Sequence, residues 1–272
     1  MPVLARLSFF TFLLLCSASV SATTTWRYDM LLNSKIIGVQ TLKLVPTADG
    51  SLLIQTTSVE KDGWFSSFKM NGITAEQLDE DARSVAMETR VTANGRTWWS
   101  QLFADGNGLR GTGRDMGELS ETMQQNLAAL DKQLNNEVPP TLEELKSQTE
   151  AILANNDGEL QAELNPDKKF VTSLNALPYY LKHTGRIPGA LQLLDNEGLQ
   201  VINSPIVDLG TQQMEIGGEH YTAHHIKVEK ADAGTHIWFN ADNTGPVVLM
   251  IAGKSGKKKF QISLQEVQSA TN

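Results

Sequence analysis

Imidazoles are the side chains in this 272-residue sequence best suited to bind a metal or move a proton near neutral pH. All five lie in its C-terminal half: His183, His220, His224, His225 and His236. If Tyr221 to Val228 is a strand, alternation sends His224 to one face with Ile226 and His225 to the other with Lys227. His220 and His224 then share a face, and His236 opens the next strand. The set His220, His224 and His236, with Glu219 or Glu229 beside it, is the candidate zinc site, and with it comes one functional reading, a metal-dependent hydrolase. Against it, the spacing matches no recognised metal signature, and histidines near strand ends more often serve as surface or hydrogen-bonded residues.

Other constellations fail on their context. Gly253-Lys254-Ser255-Gly256-Lys257 imitates the end of a phosphate-binding loop, but Val248 stands where that loop needs a glycine. Phe260 to Leu264 then alternates like a strand instead of opening a helix, so the segment reads as a hairpin tip. Gly108, Gly111 and Gly113, with Arg110 and Arg114, read as a flexible strand-to-helix connector. Asp242-Asn243-Thr244-Gly245 has too few oxygens for a dedicated calcium loop and reads as a turn. There is no Gly-x-Ser-x-Gly elbow, and no acidic pair stands out as general acid and base. The sequence thus names no catalytic residue and implies no cofactor.

Aromatic residues point instead to binding. Trp64, Phe65 and Phe68 cluster before Met70, and Trp98-Trp99 are adjacent on an expected strand. Neighbouring strand residues face opposite sides, so one tryptophan belongs to the core and the other is exposed or lines a cavity.

The elements that must position these residues are mostly strands. Alternation runs through Trp26 to Met30, Ile37 to Val45 and Leu52 to Val59, with breaks at Asn33-Ser34, Ala48-Asp49-Gly50 and Lys61-Asp62-Gly63. Asn-Gly and Asp-Gly pairs, which accept the positive φ of tight hairpins, recur at Asn71, Asn94, Asp105 and Asn107. From Leu119 the pattern changes: Leu119, Met123, Leu127, Leu130 and Leu134 recur at helical spacing. After Pro139-Pro140, Thr141 with Glu144 forms a capping-box signature, and Leu142, Leu145, Ile152 and Leu153 continue an apolar stripe. A short helix is expected over Asn175 to Lys182. Hairpins resume at Ala190 and continue to Leu264. The expected fold is mainly β: a curved antiparallel sheet or open β-barrel-like meander with an inserted α-helical hairpin at about 117–157. Because the hairpin pattern resumes after it, the insert is expected to be peripheral, its stripe free to cover an edge or the concave side of the sheet.

The first 22 residues have the three parts of a signal peptide: Arg6, an apolar run from Leu7 to Cys16, and a small-residue region from Ser17 to Ala22. Val20-Ser21-Ala22 offers small or aliphatic residues at the −3 and −1 positions, so cleavage is expected between Ala22 and Thr23, and the apolar run is too short to span ~30 Å of hydrocarbon as an anchor. The mature chain, residues 23–272, is then one β-rich periplasmic domain without its only cysteine, Cys16. Its 22 basic and 31 acidic residues leave a charge of −9, which argues against nucleic acid or an anionic membrane surface as a partner.

Short motifs at the two ends of the mature chain carry a resemblance. Trp26-Arg27-Tyr28-Asp29 leads into Asn33-Ser34-Lys35-Ile36-Ile37-Gly38, and Ile237-Trp238-Phe239-Asn240-Ala241-Asp242 precedes the last hairpin. Together they resemble uncharacterised bacterial periplasmic proteins carrying a domain of unknown function, whose opening strand reads N/G-K-x-I-G and whose closing strand reads W-Y/F-x-D. Asn240-Ala241-Asp242 departs from the single Asp more usual there. The resemblance implies compartment and fold class and carries no activity with it. The architecture is also similar to periplasmic lipoprotein carriers, in which helices cover an apolar cavity in an open half-barrel.

These readings converge on an exported, non-enzymatic binding or envelope-maintenance module, with the metal-dependent hydrolase as the alternative. The expected partner is an apolar small molecule or an envelope protein, with no nucleic acid and no integral membrane anchor. The residues expected to face an apolar ligand are Met123 and Leu127 on the insert and Trp98 and Trp99 on the sheet.

Overall fold

Leu52, Leu53 and Ile54 are consecutive and all buried, so the strand that carries them is covered on both faces. The computed structural model shows how. It describes residues 23–61, 68–105, 108–136, 138–156, 158–164, 170–195, 199–229, 234–242, 245–255 and 258–269. The leader with Ala22, the aromatic pair Trp64-Phe65, and the turns at Asp62-Gly63, Gly106-Asn107, Asn243-Thr244 and Gly256-Lys257 lie outside the described residues.

The chain opens with seven antiparallel strands: β1 (Thr24–Leu32), β2 (Lys35–Thr47), β3 (Gly50–Lys61), β4 (Phe68–Leu78), β5 (Ser84–Ala93), β6 (Arg96–Asp105) and β7 (Gly108–Glu118). A helical hairpin follows, α1 (Glu121–Leu134) and α2 (Leu142–Leu153), then β8 (Glu159–Leu164), β9 (Thr172–Ser173) and α3 (Leu177–Thr184). The second meander is β10 (Ala190–Asp195), β11 (Gln200–Ile216), β12 (Glu219–Val228), β13 (Thr235–Asn240), β14 (Val248–Ser255) and β15 (Lys258–Ser269). Among the described residues all strands join one sheet, in the order β8-β7-β6-β5-β4-β3-β2-β1-β15-β14-β13-β12-β11-β10-β9. The first and last strands therefore meet in the middle, and only the short β9/β10 pairing is parallel.

Turn chemistry fixes the registers. Asn33-Ser34 and Asn94-Gly95 both have positive φ at two successive residues, the geometry of a two-residue hairpin turn whose twist matches the strands. The Gly108–Arg114 segment, expected as a connector, is instead the body of β7. Its glycines serve packing: a Cβ on Gly111 would sit 3.1 Å from the Cβ of Leu164 and 3.5 Å from Leu199 Cδ1. A bare backbone lets the second half of the molecule close against this strand.

Curvature follows from who touches whom. Trp26, Tyr28, Leu53 and Leu78 share a core cluster with Ala223, Val248 and Leu264, although several strands separate β4 from β12 in the sheet. That face must be concave. At its far ends Met87, Leu102 and Leu164 meet Leu194 and Leu199, which brings the two edges together through side chains without a ladder. Bulges such as that between Asp208 and Thr211, where Asp208 Oδ1 accepts from Gly210 N–H at 2.8 Å, supply the bends.

The concave face is filled by α3. Leu177 and Leu181 pack on Leu193, Ile226, Ile237 and Phe239, while Ala176 and Tyr179 join the cluster around Tyr28. A buried polar knot holds the segment in place: Ser173 Oγ donates to Glu76 Oε2 at 2.9 Å and accepts from Ala176 N–H at 3.0 Å, and Ser173 N–H donates to Ser84 Oγ at 2.8 Å. The open apolar cavity implied by similarity to lipoprotein carriers is thus occupied by the chain's own helix.

The insert lies on the opposite, outer face. Leu130, Leu134, Leu142 and Leu145 cover Leu52, Ile54 and Ala75, the residues that alternate with the inward-facing Leu53. Its ends are anchored by charge. Lys43 Nζ donates to Leu134 O at 3.2 Å and to Asn136 O, placing a cation on the C-terminal carbonyls of α1. Arg90, only 6% exposed, lies 3.1 Å from Glu88 and 2.7 Å from Asp131 of α1, and Thr149 of α2 donates to Glu88 at 2.5 Å. The insert is therefore neither peripheral nor a cover for the concave side: it closes an apolar outer face and shields buried charges.

Two outcomes follow from this packing. Leu134→Ala is expected to lower unfolding stability by about 2–5 kcal/mol in urea titration, as large-to-small changes in a closed core do. Arg90→Ala, which strands the buried Glu88 carboxylate, is expected to cost about 3–5 kcal/mol at neutral pH. Burial already raises the Glu88 pKa, and losing Arg90, the largest opposing influence, raises it further. A carboxyl with a raised folded-state pKa favours the fold below its unfolded value and loses that contribution as pH rises through the folded value. The deficit of Arg90→Ala relative to wild type should shrink as pH falls from 7 toward 5.

Candidate functional site

Among the described residues, two of the concavities lie on the outer face and carry convergent polar and aromatic side chains. The first is a cleft of 610 Å³ where α2 crosses β6 and β7. Alternation along β6 sends Trp99, Gln101 and Phe103 to this face, and helical spacing brings Lys146, Glu150 and Leu153 over them. Lys146 Nζ sits 4.9 Å from the centroid of the Phe103 ring, a cation–π contact. Burial lowers the Lys146 pKa, with Glu150, Glu88 and Glu143 opposing that shift. Gln101 Nε2 donates to Glu150 Oε1 at 3.2 Å, and Arg114 Nη1 donates to Gly158 O at 3.4 Å on the β7 side. The cleft thus has an aromatic floor and a rim of two cations and one engaged carboxylate.

Of the four residues expected to face an apolar ligand, Trp99 alone lines this cleft. Trp99 and Met123 pack against the buried cluster of Met116, Leu119, Leu127 and Leu153. Leu127 is itself buried in that cluster, and neither it nor Met123 lines the cleft. Trp98 is not with them: it points to the other face of β6 and is 42% exposed. Periodicity alone identified the stripe but not the face of the sheet it covers.

The second concavity, of 720 Å³, crosses β12, β13, β14, β15 and β1. Ile237 and Phe239 point inward to α3, so His236 and Trp238 point outward. There His225 stacks on Trp238 with ring centroids 4.1 Å apart, and His225 Nε2 faces His236 Nδ1 at 2.9 Å. One cross-strand row, Lys227–His236–Ala252–Gln261–Leu31, lines the groove, and Lys254 pairs with Lys259 across the adjoining hairpin. Burial, then the neighbouring His236, lowers the His225 pKa.

The proposed metal set does not assemble. His224 lies on the face opposite His236, stacked on Phe239 with its Nε2 2.9 Å from Asp208 Oδ1, and His220 is exposed at the start of β12. The partner of His236 is His225, which is not one of the three expected ligands. Among the described residues no group of three or more His, Cys, Asp or Glu is placed to hold a metal ion. Cross-strand registry, fixed by the Thr235-to-Val228 pairing, decides which imidazoles meet, and sequence spacing does not reveal it.

Among the described residues no helix is long and apolar enough to cross a membrane. No family model matches the chain, and no curated protein matches it. Among solved structures it is similar to the crystal structure of a β-barrel-like protein of domain of unknown function DUF1849 from Brucella abortus, at 8% identity and a TM-score of 0.51. The alignment covers 92% of this chain and 98% of that one, so the likeness spans the whole fold and concerns the fold alone. The chain is thus a mainly β protein with a β-barrel-like sheet, an architecture it shares with a protein of unknown function.

Proposed function

We propose that this chain is an exported, non-enzymatic binding module that seats an amphipathic small molecule in the cleft between α2 and the β6–β7 face. The observation that carries the reading is the pairing of an apolar floor, Trp99, Phe103 and Leu153, with Lys146 and Arg114 at its rim. Ligand pockets are mostly apolar with a few placed polar groups that fix orientation. An apolar tail suits the floor, and an anionic head suits the two cations. Glu150 also lines the cleft and keeps its negative charge while accepting from Gln101, so the rim has two cations against one carboxylate. This keeps the expected apolar partner but gives it a charged end, and it moves the seat from the concave to the outer side of the sheet.

Export rests on Arg6, the apolar run and the Ala22-Thr23 junction. Protein recovered from the periplasm is expected to begin at Thr23 and to carry no lipid. Intact mass showing an acylated Cys16 or an uncleaved leader would refute this.

Binding is tested by titrating folded protein with the anionic fluorophore anilinonaphthalene sulfonate and displacing it with dodecanoate. Saturable, displaceable binding is expected, weakened about tenfold by either Phe103→Ala or Lys146→Glu with little change in thermal midpoint. Equal affinity in the wild type and both variants would place the ligand elsewhere.

A further inference from the structure

The groove over β12, β13, β14, β15 and β1 is independent of that cleft. Its features are unusual for a chain with 31 acidic and 23 basic residues. Lys254 and Lys259 are directly opposite each other in the β14/β15 ladder and line the same concavity, and neither forms an ion pair among the described residues. Like charges directly opposite in a ladder are destabilising. Two residues along β14 from Lys254, roughly 7 Å at strand rise, Ala252 pairs with His236. Lys254 stands one strand and Lys259 two strands from His236, and all three line one concavity with His225, so an oxyanion seated on its floor of Ala252 and Gly253 lies between the lysines and the imidazoles.

The imidazole pair has a definite proton inventory. His225 Nε2 and His236 Nδ1 face each other, so one proton lies between them and His225 Nδ1 and His236 Nε2 are the outward atoms. In the neutral pair one outward nitrogen carries a proton and the other is an acceptor. Adding one proton makes both outward atoms donors and gives the pair a single positive charge.

We infer that this groove binds an oxyanion group of a small molecule, held by Lys254, Lys259 and the singly protonated His225–His236 pair, and that binding takes up a proton. Sulfonate, phosphate and carboxylate share the required chemistry. The anion meets two donors only on the protonated pair, so occupancy favours that form. The ionisable group beside the pair is Lys227, whose Nζ is 2.9 Å from Glu229; Asp29 shares the cross-strand row of His225 but lies on β1, three strands beyond β13. Glu229 is paired with Lys227, and Asp29 is about 14 Å from His236 at the spacing of neighbouring strands, so neither carboxylate competes for the imidazoles. The His225 pKa lies below the ordinary imidazole value in the free protein. Affinity therefore rises as pH falls through that value and levels off below it.

Benzenesulfonate is the probe, because it stays fully ionised over the range and any pH dependence belongs to the protein. Titration calorimetry of the mature chain should show saturable binding that strengthens about tenfold between pH 8 and pH 5, equivalent to one unit of pKa coupling. Net proton uptake should appear when buffers of different ionisation enthalpy are compared. The exposed-site double variant Lys254→Gln/Lys259→Gln should lose about tenfold in affinity at every pH and keep the pH slope. His236→Phe, which preserves the ring stack, should flatten the slope. Methanesulfonate tests whether the oxyanion alone suffices, and phosphatidylglycerol vesicles test presentation on a lipid surface. Binding of either small sulfonate with this pH and variant pattern supports the inference. Binding that is independent of pH and of both variants overturns it, and so does binding to vesicles alone.

Discussion

The structure depends on one constraint: β3 and its neighbours are apolar on both faces, so each face needs its own cover. Leu53 and Leu78 turn inward with Trp26 and Tyr28, while Leu52, Ile54 and Ala75 turn outward. A sheet that faced water on one side would show clean alternation, and this one does not. Two separate pieces of chain answer the two demands. The β9–α3 segment enters the concave side, and the α1–α2 hairpin lies across the outer side. Neither can be removed without exposing a row of leucines, each worth about 1.5–3 kcal/mol when fully buried.

Covering both faces also brings polar groups into the interior, and the fold resolves each locally. Inside, Ser173 serves three partners at once, joining Glu76 of β4, Ser84 of β5 and the start of α3. Outside, Arg90 stands between Glu88 and Asp131, and Thr149 completes the first of these. Burial raises both carboxyl pKa values against the pull of Arg90. Such networks add little net stability over an apolar substitute but penalise any arrangement that leaves a member unpaired. They set the register of the insert on the sheet, which leucines alone would leave free to slide.

How much of this was legible in the residues varies with the range of the interaction. Turns and helix caps were readable, because Asn94-Gly95 and the Thr141–Glu144 capping box act within four residues. The helical stripe from Leu119 to Leu134 was also readable, and so was its need for a cover. Its destination was not, since that depends on Leu52-Leu53-Ile54, a run read as simple alternation that is in fact buried on both sides. The glycines of β7 looked like a flexible connector, because only the closed fold shows Leu164 and Leu199 packing where a Cβ would stand. The histidines were located as a cluster but sorted wrongly. Strand parity separated His224 from His225 correctly, and it is the partner strand that pairs His236 with His225.

The filled interior also decides where ligands can go. In a half-barrel carrier an acyl chain enters the concave face, and doing so here would require α3 to leave. That would expose Leu177, Leu181 and Tyr179 and break the Ser173–Glu76 hydrogen bond. Three such side chains at about 1.5–3 kcal/mol each already rival the 5–15 kcal/mol that separates most folded domains from their unfolded state. Expulsion of α3 is therefore close to unfolding rather than a gating motion. Both concavities described above lie on the outer face, formed where side chains of different height leave the sheet uncovered: beside α2 in one case, above Ala252 and Gly253 in the other. Occupying either needs no rearrangement of the core. Exchange at such sites is governed by local side-chain motion, and the stability of the sheet sets only the rigidity of the floor against which a ligand rests.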